Sequence, residues 1–389
     1  MSSKNEIALV FTGDIGFDRY MNEKWNDPEL ISESILDFLH SASHVIANVE
    51  GALIKVAPGY DPTGRGIFCH PMDPEAVQVL NKMGADIWNY ANNHTMDMAE
   101  EGMKNSLAAA RENGAQVIGS GMNIKEASKP LYLENAGGIG IFAVGAQPIC
   151  VPATDTTAGC MPWNDMQLIR ETIESIKKTC RWCIVVAHGG EEFQNLPAPY
   201  VRQRYIDFLE MGADIVVSHH PHVVMNYELF SNKAIFYSLG NFIFDTDYQR
   251  VHHNTDRGVL LRLRLDENGY SFDTMATRIV RGVEHIEETS LPAIFTDINS
   301  EEYEKLIPLS AKVFLEAEKK RRIFMDSAKY SSYEEDDWRR LFHSKTLEKS
   351  IPGQQLDLAV LDDLASCEKD GAWKTSELTA VVKYLLEQL

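Results

Sequence analysis

One pattern recurs along the chain as far as His222: a short apolar run that stops on a side chain able to bind a proton or a metal. Ile7 to Phe11 ends at Thr12-Gly13-Asp14, Val45-Ile46-Ala47 at Asn48-Val49-Glu50, and Ala85 to Tyr90 at Ala91-Asn92-Asn93-His94. Cys183 to Ala187 runs into His188, and Ile215-Val216-Val217 into Ser218-His219-His220-Pro221-His222. Apolar runs of this length bounded by turn-forming residues predict buried strands. Between several of them apolar positions recur at helical spacing, which predicts helices over 29–39, 74–83, 99–113, 163–178 and 200–211.

Strands alternating with helices predict an α/β sheet with parallel pairs, whose ligands gather beyond the carboxyl ends of the strands. The five polar ends are therefore expected on one rim. Gly84-Ala85-Asp86-Ile87 and Gly212-Ala213-Asp214-Ile215 echo each other, because glycine suits the left-handed residue that closes a helix before a strand. Farther on, Val259 to Leu265 alternates, and Asp266-Glu267-Asn268-Gly269 leads to Ser271-Phe272-Asp273, which predicts a hairpin with an Asn-Gly turn.

Near residue 286 the pattern changes to charged, helical stretches over 301–324, 334–349, 356–365 and 376–389, broken at Pro352-Gly353. The chain thus divides into an α/β domain over 1–285 and a helical appendage over 286–389. Leu378, Val381, Val382, Leu385 and Leu386 form a stripe suited to packing or to a homo-oligomer contact.

Composition narrows the function classes. The 389 residues are 44% hydrophobic, enough for a substantial core, and the formal charge of −20 opposes binding to nucleic acid or an anionic bilayer. The first six residues lack the plan of a signal peptide and no run is long enough to span a membrane, so a cytoplasmic protein is expected. Six cysteines without framework spacing read as reduced thiols. Cys180-x-x-Cys183 leads straight into a strand, which favours packing over a redox pair or a zinc site with Cys150 and Cys160.

Pooling the strand ends gives Asp14, Glu50, Asn93, His94, His188, His220 and His222. Alternation along an extended chain puts His220 and His222 on one side and His219 on the other. Such an oxygen and nitrogen set without thiolate suits one or two divalent ions of Mn, Fe or Zn. Singly, each residue has an ordinary use: Asp14 as a turn or cap, Asn92 and Asn93 as turn formers, His188 as a core histidine. Their shared placement is what predicts a site.

Gly13-Asp14 followed by Arg19, Asn48-x-Glu50, Ala91-Asn92-Asn93-His94-x-x-Asp97, His188-x-Gly190-x-Glu192, His219-His220-Pro221-His222 and Tyr237-Ser238-Leu239-Gly240-Asn241-Phe242 occur in that order. From about Ile7 to Asp245 the chain resembles the poly-γ-glutamate capsule-synthesis (CapA-type) proteins, which are similar to the calcineurin-like metallophosphoesterases. The resemblance implies a four-layer sandwich, two packed β-sheets flanked by helices, with a dinuclear site at the sheet ends. It implies hydrolysis of a phosphoester or γ-glutamyl amide by metal-activated water, on a small anionic substrate or polyglutamate.

Position by position it implies that Asp14 and His222 hold one ion, Asn93, His188 and His220 a second, and Glu50 bridges them. His94 would protonate the leaving oxygen, placed by Asn93 and oriented by Asp97, while Arg19 clamps an anion. The glycine- and proline-rich loop 57–70 reads as a plain surface loop or, alternatively, as a lid presenting Arg65 and His70 to an anionic substrate. Two departures stand out: the phosphoesterase Asp-x-His block is here Asp14-Ile15-Gly16, and Glu50 replaces the usual Asp. The first ion is then left to His219, Asp18 or substrate, or a single ion is bound. The alternative function is a non-catalytic protein binding an anionic polymer through a degraded site, or a scaffold for polyglutamate synthesis.

Overall fold

The computed structural model describes residues 6–147 and 149–338. The helices expected over 356–365 and 376–389, with the apolar stripe, lie outside the described residues, as does most of that over 334–349. Within them the strand Ile7–Ile15 sets the architecture: Leu9 and Phe11 enter one buried cluster and Val10 the cluster on the opposite face. A two-residue side-chain period with both faces apolar requires a covering layer on each side.

Ile7–Ile15 lies inside a first sheet in the order His285–Glu288, Tyr270–Val280, Arg257–Leu265, Ile7–Ile15, His44–Val49, Ala85–Asn89, Gln116–Ile118, with Asn241–Ile243 paired to its final residues. A second sheet runs Tyr227–Phe230, Lys233–Phe236, Ile215–His219, Trp182–His188, Ile139–Gly145, Leu131–Leu133. Leu9, Phe11, Ile46 and Ile87 of the first meet Ile141, Ile184, Val186 and Val217 of the second. Each such side chain, fully buried, contributes about 1.5–3 kcal/mol.

Helices cover the outer faces. Ile35 and Leu39 of Glu33–His40 and Leu80 of Val77–Lys82 pack on Val10, Val45 and Trp88. Ile169 and Ile173 of Met166–Lys177 and Tyr205 and Phe208 of Pro199–Met211 pack on Phe142, Val185 and Val216. The result is the four-layer sandwich of two sheets between helices. Among the described residues no helix is long and apolar enough to cross a membrane.

Local chemistry moved several expected boundaries. The helix expected over 29–39 begins at Glu33, because residues 30–32 run beside the strand His285–Glu288, with Ile286 N–H donating to Leu30 and Ser32 N–H to Ile286. That strand pairs with Tyr270–Val280 and forms the edge of the first sheet. Met166–Lys177 starts where the Asp165 carboxylate accepts from Leu168 N–H.

The hairpin forms, but Leu265 pairs with Tyr270, leaving a four-residue loop. Its Asp266 carboxylate accepts from Asn268 and Gly269 N–H, in place of a tight Asn-Gly turn. The fully buried strand Ile139–Gly145 has no counterpart in the sequence reading. Its Gly140 interrupts the apolar run for a packing reason: a Cβ there would meet Ile176 Cγ2 at 2.3 Å.

Candidate metal centre

Parallel pairing brings the carboxyl ends of Ile7–Ile15, His44–Val49 and Ala85–Asn89 together in the first sheet, and those of Trp182–His188 and Ile215–His219 in the second. The expected single rim is therefore two rims facing each other across the sandwich. Asp14, Glu50 and His188 form one donor triad and Glu50, His220 and His222 another, with the donor atoms of each within 4.8 Å. Glu50 belongs to both. The triads divide the histidines differently from the resemblance, pairing His188 with Asp14 and His220 with His222.

The histidines reach the site by a route that strand alternation does not describe. The strand ends at His219, whose Nε2 donates to the Thr12 carbonyl at 2.8 Å, so His219 is occupied away from the triads. His220 and His222 then take left-handed backbone conformations, φ 100° and 56°, at a cost of about 1–3 kcal/mol each. Asp18, the other candidate to complete the set, is held by His70 Nδ1 at 2.6 Å.

Glu50 Oε1 stands 3.6 Å from His188 Nε2, 3.6 Å from His222 Nε2 and 3.8 Å from His94 Nε2. These separations are too long for hydrogen bonds. The two 3.6 Å separations suit donors sharing an ion: two ligands about 2.1 Å from one metal at a tetrahedral angle stand roughly 3.4 Å apart. Glu50 Oε1 is a buried oxygen without a hydrogen-bond partner, and Asp14 Oδ2 has only His222 Nδ1 near it, at 3.0 Å. Such a group is rare in native interiors and fits the coordination of a cation.

Electrostatics agree with the distances. Burial, with the Asp14 charge added, drives Glu50 well above the ordinary carboxylate range. Burial alone would push His222 down, but Glu50 and Asp14 outweigh it and hold the ring up to about 10. Burial drives His188 well below the ordinary imidazole value. Two buried carboxylates thus compete for positive charge, the role a divalent ion takes in such a set.

A surrounding layer aims the ligands. Asn48 Nδ2 donates to Asp14 Oδ1 at 2.7 Å and to Glu50 Oε2 at 3.3 Å, and is itself held by Asn89. Asn241 Nδ2 donates to the Thr255 carbonyl and Gln249, which turns Oδ1 toward His222 Nδ1 at 2.9 Å. That contact, with Asp14 Oδ2 3.0 Å from the same nitrogen, takes up Nδ1–H and leaves Nε2 toward Glu50 as the nitrogen whose proton a divalent ion would displace. Asn93 Oδ1 lies 2.7 Å from His188 Nε2, beside the same group. Neither Asn48 nor Asn241 was given a role from sequence, although both fall inside the recognised blocks.

His94 lies at the pocket lined also by Arg65, His70, Asn93, Glu192 and His222. Its Nδ1 donates to Asp97 Oδ2 at 2.8 Å, and Asn93 Nδ2 lies 3.0 Å from its Nε2. Arg19 is elsewhere: its guanidinium donates to the Ile67 and Cys69 carbonyls and tethers the 57–70 loop. Arg65 from that loop reaches the pocket instead, donating to the Asn93 carbonyl at 2.6 Å and to Asp97. The loop is knitted by Asp61, whose carboxylate accepts from the N–H groups of Thr63, Arg65 and Gly66.

The missing first-block histidine has a steric counterpart. A Cβ on Gly16 would lie 2.5 Å from Phe244 Cδ2, and the Phe244 ring stacks on His222 with centroids 4.9 Å apart. The place of a side chain at position 16 is filled by an aromatic ring.

Residues 8–246 match the family described as Bacterial capsule synthesis protein PGA_cap. The chain is similar to the PGA biosynthesis protein CapA of Bacillus subtilis (strain 168), 29% identical over 272 residues that cover 69% of this chain and 70% of that protein. It is also similar to the capsule biosynthesis protein CapA of Bacillus anthracis, 28% identical over 273 residues, 68% of this chain and 65% of that one. Among solved structures, a 5′-nucleotidase from Candida albicans SC5314 aligns over 70% of this chain and 52% of its own, at 13% identity and a TM-score of 0.41. The match to the family spans every donor from Asp14 to His222 and ends before the helix Ser300–Met325.

Proposed function

We propose a hydrolytic function for this chain, which belongs to the PGA_cap family of bacterial capsule synthesis proteins: cleavage of a phosphoester or a γ-glutamyl amide in a small anionic substrate or polyglutamate. The observation that carries this reading is the pair of donor triads sharing Glu50 beside the His94 imidazole. Asp14, Glu50, Asn93, His188, His220 and His222 would hold one or two ions, with Mn, Fe or Zn matching the mixed donor set. A divalent ion bound there supplies Lewis acidity, polarising the scissile group and acidifying water.

The remaining steps belong to the protein. Asp97 holds His94 Nδ1–H, so Nε2, which accepts from Asn93 Nδ2 in the resting site, is the nitrogen that would exchange that bond for a proton as water attacks and pass it to the leaving oxygen or nitrogen. Arg65 supplies positive charge on the same wall. Near-complete burial of the donors excludes bulk water and strengthens each of these interactions. A non-catalytic, anion-binding role is the second reading, and the Phe244 ring at Gly16 favours it by removing one donor from the Asp14 side.

The test is hydrolysis of p-nitrophenyl phosphate, bis-p-nitrophenyl phosphate and poly-γ-glutamate by purified protein with Mn²⁺ or Zn²⁺ added. Metal-dependent turnover that falls in His94→Ala supports the hydrolase. Bound metal with no turnover on any of the three selects the non-catalytic reading.

A further inference from the structure

Beyond the metal centre, on the far side of Phe193, a solvent-open cavity of about 750 Å³ lies against the helix Ser300–Met325. The Phe193 ring stacks on His252 with centroids 3.7 Å apart and faces His222 at 6.2 Å, so one aromatic side chain separates the two spaces. Arg257 and Lys320 line this cavity, and neither has an ion-pair or side-chain hydrogen-bond partner among the described residues. That is unusual in a chain with 57 acidic and 37 basic residues, where carboxylates outnumber cations.

Glu316, the acid in the lining, shares Lys319 Nζ, at 3.3 Å, with Glu335, at 3.0 Å, so the wall stays positive through Arg257 and Lys320. The rest of the wall is largely hydrocarbon, including Val223 and Ile294. A volume in the range of ligand pockets, two cations with no direct carboxylate contact among the described residues and an apolar wall define the occupant chemically.

We propose that this cavity binds an organic anion, its charged heads on Arg257 and Lys320 and its aliphatic body against Val223 and Ile294. The site is separate from the triads and needs no metal. It is built partly from residues of the helix Ser300–Met325, outside the stretch that matches the family. Carboxylate and phosphate heads satisfy the two cations equally, so the head group is for the experiment to decide.

The experiment is calorimetric titration of the EDTA-treated full chain with octanoate and, separately, octyl phosphate, which share an aliphatic body and differ in the head. Saturable one-to-one binding of either is expected, and the tighter of the two identifies the head group. Affinity is expected to fall at least tenfold in the Arg257→Gln/Lys320→Gln double variant and to vanish in Ala293→Trp, which fills an exposed part of the rim, while Glu50→Gln leaves it unchanged. Binding of neither probe, or wild-type affinity in the double variant, overturns the proposal. So does loss of binding in Glu50→Gln, which would place the anion at the metal centre.

Discussion

His94 Nδ1 lies 2.8 Å from Asp97 Oδ2, and the same carboxylate also accepts from Arg65 and from the His70 N–H. Burial pushes Asp97 up to about 6 despite the neighbouring Arg65 charge, so its ionised form depends on these donors. In the hydrolase reading Asp97→Asn keeps the shape but loses the orienting charge. Turnover is expected to fall roughly 10²- to 10⁴-fold with metal content unchanged. A fall that comes with metal loss would make Asp97 structural.

Asn48 and Asn241 touch ligands and not the pocket. Removing either aiming hydrogen bond, in Asn48→Ala or Asn241→Ala, is expected to weaken metal affinity about 10- to 100-fold. Competition with a fluorescent chelator measures this. Unchanged affinity in both variants would mean the ligands are placed by packing alone.

Gly13 sits where the first strand meets residues 240–241. A Cβ there would be 2.3 Å from the Gly240 carbonyl oxygen, which accepts from Asp14 N–H at 2.9 Å. Backbone cannot rotate aside as a side chain can, so Gly13→Ala is expected to cost about 1–3 kcal/mol. Denaturant unfolding reads the loss, and a wild-type midpoint would contradict the packing described.

Remote from the site, His44 Nδ1 meets Asp86 Oδ2 at 2.6 Å, and this hydrogen bond raises the imidazole above its ordinary value. A raised folded-state value stabilises fully below the unfolded value of about 6.5 and is lost as pH rises through the raised one. The pair is partly exposed, so the gain is under about 1 kcal/mol. His44→Asn should therefore lower the melting temperature more at pH 5.5 than at pH 8.5. An equal or larger deficit at the higher pH would refute the linkage.

Much of this was legible because burial leaves direct marks on sequence. The runs at Ile7, Val45, Cys183 and Ile215 are apolar on both faces, and strands so placed need layers on both sides. The donors at their ends could be named because little else puts Asp14, Glu50, His188 and His222 after four separate apolar runs. What escaped detection depends on long-range packing. Gly140 hides a fully buried strand because a helix residue, Ile176, needs its space. Arg19 and Arg65 are chemically alike, and which one reaches His94 depends on how the 57–70 loop folds around Asp61. Left-handed His220 and His222 break the alternation from which their placement was reasoned.

The account rests on Glu50 drawing two sheets' donors into one metal centre. Titration of Mn²⁺ or Zn²⁺ into EDTA-treated protein, followed by calorimetry and checked by elemental analysis, measures this directly. One or two ions per chain in the wild type, with stoichiometry or affinity sharply reduced in Glu50→Gln, is the expected result. No saturable uptake by the wild type, or identical uptake by the variant, would contradict it.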